Sequence, residues 1–160
     1  MKHGKRVMAI VICILMLASL WGCGKSGNGK VPQLYLYGDM AEMHEKKDVR
    51  SVTATFVQGR KESTYYATIK VQGTSSLVYD KKNYTIKFFD DASHETKSTI
   101  DLGWGAQNEY CLKANWIDKT HARNIVTANI AAEAQHKYGL LEETPANGLI
   151  DGFPIEIYIN

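Results

Sequence analysis

Two runs of strict alternation constrain this chain more than any other feature. "STYYATIKVQG", residues 63–73, sets Tyr65, Ala67, Ile69 and Val71 against Tyr66, Thr68 and Lys70. "NYTIKFF", residues 83–89, repeats the pattern, with Tyr84, Ile86 and Phe88 opposed to Thr85 and Lys87. Successive side chains of a strand point to opposite faces, so period two with one apolar row means a sheet with one face buried. The segment between the runs is rich in small hydroxyl residues and reads as a turn. "SVTATFVQG" alternates in the same way and ends at Gly59. "QLYLYG" is a short strand candidate, whereas "MAEMHEKKDV" is mixed and polar and reads as a loop or a turn of helix. "EYCLKANW", residues 109–116, is expected to place Tyr110, Leu112, Ala114 and Trp116 on one face. "FPIEIYIN" closes the chain as a strand with Phe153, Ile155, Ile157 and Ile159 aligned.

One helix breaks this pattern. "HARNIVTANIAAEAQHKY", residues 121–138, is rich in alanine and free of proline. Asp118 or Thr120 can cap it, because a short oxygen side chain accepts from the free amides of the first turn. His136 and Lys137 suit the negative end of the helix dipole, and Gly139 suits a left-handed stop. Ala122, Ile125, Ala128 and Ala132 form a stripe of small residues that predicts close packing on the sheet. Strands, a packed helix and a further strand make an α+β domain with a mostly antiparallel sheet.

The 160 residues allow at most one ordinary domain, expected over residues 31–160. A net charge of +2 without a long basic run argues against nucleic acid as a partner. Residues 1–22 read as a secretory signal: "MKHGKR" is basic, and Val7 to Leu20 is apolar but shorter than the roughly 20 residues of a spanning helix. An uncleaved signal anchor is the other reading of this segment. Leu20-Trp21-Gly22-Cys23 resembles the lipobox of bacterial lipoproteins. That resemblance implies cleavage after Gly22 and a lipid on Cys23, which would hold the protein on the extracytoplasmic face of the membrane. Residues 24–30, "GKSGNGK", then read as a tether. They do not form a Walker phosphate loop, which would need glycine where Ser19 stands. With Cys13 in the signal and Cys23 lipidated, Cys111 is left without a partner for a disulfide. Its apolar strand context predicts a buried small hydrophobe.

Two constellations carry candidate chemistry. Gly73-Thr74-Ser75-Ser76 offers amides and hydroxyls suited to phosphate oxygens, with Lys81 and Lys82 beside it and Lys87 along the strand. The same residues also suit an ordinary turn with lysines guarding a strand edge. In "KANWIDKTHARN", Asn115, Asp118, Arg123 and Asn124 gather at a helix start, where an anion can be held. Asp118 as a simple cap and Arg123 as a solvated or ion-paired residue is the alternative. The histidines show no metal-ligand spacing, and no nucleophile elbow is present. Tyr35, Tyr37, Tyr65, Tyr66 and Trp104 could form an aromatic face for sugar.

"ATIKVQGTSSLVYDKKNYTIKFF" followed by "NEYCLKANWIDKTHARNIVTANIA" resembles the N-terminal half of the CotH-type (spore coat protein H) kinase family. The family pattern falls on Gly73, Ser75 and Ser76; on Lys81, Lys82 and Tyr84; on Ala114 and Asn115; on Asp118 and Lys119; and on Arg123 and Asn124. "IEIYIN" resembles the strand before a glycine turn. The resemblance covers about Tyr66 to Asn160 and implies part of a divergent protein-kinase-like fold. It implies ATP and a magnesium or manganese ion as cofactors, and transfer of phosphate to serine or threonine hydroxyls of a protein substrate. Gly73, Ser75, Ser76, Lys82, Asn115 and Arg123 are then expected to hold the nucleotide, with Lys82 as the direct phosphate contact. Gln72 departs from the arginine that many members carry before the loop glycine. The family's catalytic and metal-binding aspartates fall beyond position 160, so no catalytic or metal-binding residue is assigned here and this chain reads as a fragment. The rival expectation is a surface lipoprotein without catalysis that binds cell-wall sugar or a protein. It predicts an exposed aromatic platform.

Overall fold

The computed structural model describes residues 30–139 and 151–160. The signal, the lipobox with Cys23 and most of the tether lie outside them. Val31–Asn160 forms one compact unit. Its elements are β1 (Gln33–Tyr37), β2 (Val49–Gln58), β3 (Lys61–Gln72), a 3-10 turn (Ser75–Val78) and β4 (Asn83–Phe89). They continue with β5 (Ile100–Asp101), β6 (Ala106–Gln107), β7 (Glu109–Leu112), α1 (Arg123–Lys137) and β8 (Glu156–Ile159). Among the described residues, no helix is long and apolar enough to cross a membrane.

Six strands form one sheet in the order β7-β4-β3-β2-β1-β8. Every pairing is antiparallel except β8 on β1, which is parallel. The architecture is α+β with a mostly antiparallel sheet. The alternation of the long strands is realised as expected. Ala67, Ile69 and Val71 of β3 and Ile86 and Phe88 of β4 join Leu34, Leu36, Val52, Ala54 and Leu112 in one buried cluster. Burying a side chain of the size of Ile69 or Ile86 contributes about 1.5–3 kcal/mol. The opposite row, from Tyr35 and Thr53 to Thr68, Lys70 and Lys87, forms the outer face. β2 and β3 pair in strict register from Val49↔Lys70 to Gln58↔Lys61, and Gly59 at φ +64° makes the tight reversal.

Loops cover the buried face. Met43 lies inside the cluster, and Met40, Leu77, Ile100 and Ile155 pack against it. The long excursion between β4 and β7 is tied back by Asn108, whose amide donates to the carbonyls of Phe88 (2.5 Å) and Ser98 (3.2 Å). It contains the small β5–β6 hairpin, which the sequence presents only as a loop-rich stretch.

Four expectations are corrected. Helix α1 supplies no residue to the core cluster: Ala132 is its buried residue, while Val126 and Ile130 are exposed. The reason is its alanine stripe, which carries too little apolar area to anchor a helix to a sheet. Strand β7 stops at Leu112, paired with Tyr84 near the start of its partner β4, and well short of Trp116; Asn115 beyond it is left-handed (φ +48°). Cys111 is exposed, since β7 is an edge strand and its thiol points to the outer face, where the Gln72 amide donates to Sγ at 3.1 Å. The final strand begins at Glu156 and not at Phe153; it lies at the opposite edge of the sheet, where Ile157 and Ile159 are exposed.

Candidate functional site

The turn after β3 is built around Gly73, at φ +111°. A side chain there would meet the Ser76 hydroxyl: a Cβ would lie 2.0 Å from Ser76 Oγ. That hydroxyl has its own work, accepting from the Asn83 amide at 3.1 Å and donating at 3.5 Å to the Gln72 carbonyl. Thr74 Oγ1 accepts from the Lys46 ammonium at 2.7 Å. The amides of Leu77 and Tyr79 bond within the turn, to the carbonyls of Thr74 and Ser76. Ser75 is exposed. Lys82 folds back under the turn, donating to the carbonyls of Leu77 (2.7 Å) and Tyr79 (2.6 Å). Its charge therefore satisfies orphan carbonyls of a 3-10 turn, as a basic residue does at the end of a helix.

The second constellation is equally committed to local structure. Asn115 donates to the His121 carbonyl at 3.2 Å and accepts from the Asn124 amide at 3.0 Å, bracketing the loop to the first turn of α1. His121 itself is left-handed (φ +55°), and its Nδ1 lies 3.2 Å from the Ala114 carbonyl. The residue before the helix is Ala122, which offers no cap. Asp118 supplies the cap from further upstream, accepting from the Arg123 amide at 2.8 Å and from the Thr120 hydroxyl at 2.7 Å. Arg123 is largely exposed, with Nε 3.4 Å from the same carboxylate. The Thr120 hydroxyl and then the Arg123 amide hold the Asp118 carboxyl below its ordinary range.

This last feature makes a prediction about acid. A carboxyl lowered on folding stabilises the folded state fully above its unfolded pKa, roughly 4, and loses that effect as pH falls through the lower folded value. The difference in Tm between wild type and Asp118→Ala is expected to be largest near pH 7 and to shrink below about pH 4. A difference that stays constant down to pH 2 would show that Asp118 does not cap the helix through its charge.

One residue joins the two constellations. Asn83, the first residue of β4, donates to Ser76 Oγ with its Nδ2 and accepts from the amide of Ala114 with its Oδ1, at 2.8 Å. The Gly73–Ser76 turn and the Ala114-Asn115 step thus meet at one end of the sheet, although some forty positions separate them in sequence. Beside them Gln72 accepts from the Lys113 ammonium and donates to Cys111 Sγ. Sequence reasoning missed Asn83, which looks like one more polar residue at a strand start. It also gave no role to Lys70 on the outer face, although its alternation with Thr68 was visible; Lys87 it did place along the strand beside the turn. Lys87 pairs with Glu109 at 2.9 Å.

The aromatic candidates divide. Tyr35 and Tyr158 stack at 4.8 Å and 12° on the outer face, with Tyr37 and Tyr66 exposed on that same face. Tyr65 instead packs edge-on against Phe88 on the core side, and Trp104 lies against Phe153 and Tyr110. Among the described residues, no group of three or more histidine, cysteine, aspartate or glutamate side chains is placed to hold a metal ion. No family model matches this chain, and no curated protein matches it.

Proposed function

We propose that this chain is the nucleotide-phosphate side of a CotH-type protein kinase, lipid-anchored through Cys23 on the extracytoplasmic face of a bacterial membrane. ATP is the phosphate donor, and serine or threonine hydroxyls of a protein are the acceptors. The reading rests on the two ordered motifs. The observation that supports it best is their convergence through Asn83, because motifs so far apart need a common ligand or a common frame to account for their pairing. The lysines near the turn supply positive charge. No step of the transfer is assigned to an acid of this chain: Asp118 caps α1, and Glu109 is paired with Lys87.

A second reading is favoured by the outer-face tyrosines. Tyr35, Tyr37, Tyr66 and Tyr158 form a broad aromatic face of the kind that receives sugar rings, which suits a lipoprotein that binds cell wall or a protein partner. One paired measurement separates the readings. Full-length protein in mild detergent is dialysed to equilibrium against labelled ATP and, separately, sedimented with insoluble peptidoglycan. Saturable ATP binding displaced by ADP is expected, with little protein in the wall pellet. Sedimentation that is lost in Tyr37→Ala and Tyr66→Ala, together with no ATP binding, would establish the second reading in place of the first.

A further inference from the structure

We propose that the lysine meeting a polyphosphate in this protein is Lys70, on the outer face of β3, and that the ligand lies along that strand toward Gly73. Two adjoining shallow depressions mark the place. One, of about 220 Å³, is lined by Val49, Thr68, Lys70, Thr85 and Lys87. The other, of about 280 Å³, runs from Lys70 and Thr85 past Gln72 to Gly73, with Lys46 and Glu109 at its sides. Lys70 and Thr85 line both and stand opposite each other in the β3–β4 register.

The charges there are unequal in their freedom. Lys82 is tied to two carbonyls of the turn, and drawing it onto a ligand would strip both. Lys87 is neutralised by Glu109, and Lys46 rests on the Thr74 hydroxyl. Lys70 has neither carboxylate nor hydrogen-bond partner among the described residues, and it is half-buried on the sheet, so its charge is unspent. Three lysines against one glutamate leave the depressions with a net charge of +2. Gly73 follows the end of β3 three residues after Lys70, about 10 Å on if measured at the strand's rise per residue. A chain of phosphates covers that length and a single phosphate does not.

This assignment rests on the nucleotide reading above, and its test separates the two. Full-length protein is titrated calorimetrically with ATP, with tripolyphosphate and with inorganic phosphate, in wild type, Lys70→Gln, Lys70→Arg and Lys82→Gln. Losing a charge-assisted contact is expected to weaken ATP and tripolyphosphate at least about tenfold in Lys70→Gln, with Lys70→Arg recovering most of the affinity. Inorganic phosphate should bind far more weakly than either. Lys82→Gln should lower Tm while leaving both affinities within about twofold. ATP binding that survives Lys70→Gln unchanged would overturn the assignment and leave the nucleotide reading standing. Tripolyphosphate bound through Lys70, with ATP binding no tighter, would keep Lys70 as a polyphosphate contact and remove the nucleotide reading. Failure of wild type to bind either would overturn both.

Discussion

Gly73→Ala is expected to destabilise the protein by about 3–4 kcal/mol, a loss of roughly 10 °C or more in Tm. Two costs combine. An alanine at φ +111° sits in a region that residues with a Cβ rarely occupy, which costs about 1–3 kcal/mol. The new Cβ would also stand 2.0 Å from Ser76 Oγ, so the hydroxyl must move and give up its bonds to Asn83 and the Gln72 carbonyl. Gly59→Ala is the fitting control. Gly59 also has positive φ, +64°, but nothing lies within 4 Å of a Cβ there, so about 1 kcal/mol is expected. The double variant Gly73→Ala/Ser76→Ala removes the clash while keeping the backbone strain, and should be less destabilised than the two single losses added together. Thermal melts of the four variants decide the matter. A cost for Gly73→Ala no larger than that for Gly59→Ala would mean that the turn does not depend on the Ser76 hydroxyl.

Asn83→Ala is expected to cost about 2–3 kcal/mol, roughly 10 °C. The truncation removes two hydrogen bonds at once, but they are not equivalent. Ser76 Oγ can turn to water or to the Gln72 carbonyl, and its loss is small. The Ala114 amide belongs to a buried residue, and without Asn83 Oδ1 it is a donor left unpaired. An unmet buried donor costs about 1–3 kcal/mol, more than the mean worth of a hydrogen bond. Asn83→Asp keeps the acceptor for Ala114 and should recover most of the loss, whereas a hydrophobic residue should not. Hydrogen exchange gives a sharper readout than the melt: the Ala114 amide is expected to lose protection in Asn83→Ala while the Ile69 amide, in the middle of β3, keeps it apart from the global loss. If Ala114 exchanged as slowly as in wild type, the link between the two constellations would be incidental.

The long strands were legible because their signal is local and periodic. Tyr65 through Val71 and Tyr84 through Phe88 alternate cleanly, and a pleated strand can satisfy that pattern in one way only, with Ile69 and Ile86 inward. The helix was legible as an element, since alanine and the absence of proline act within the segment itself. Its partner was not. Whether a stripe of alanines reaches a sheet depends on what else competes for that sheet, and here Met43, Leu77, Ile100 and Ile155 pack into or against the core from the connections between the long strands.

The candidate site divides along the same line. That Gly73 needs freedom from a side chain, that a hydroxyl-rich turn follows it, and that Asp118 stands ready to cap a helix are matters of local chemistry, written in the residues themselves. Which lysine is free was decided by the fold. Lys82 lies nearest the turn in sequence, and that nearness is why its ammonium reaches the Leu77 and Tyr79 carbonyls and is consumed. Lys70 is further from the loop's apex, yet the β3–β4 register sets it opposite Thr85 on an open face, with no partner of its own among the described residues. The parallel seat of β8 on β1, the exposure of Cys111 and the bridge at Asn83 were likewise outside the reach of sequence. Each depends on which distant strand arrives alongside, and pairing between distant segments leaves no period in either of them.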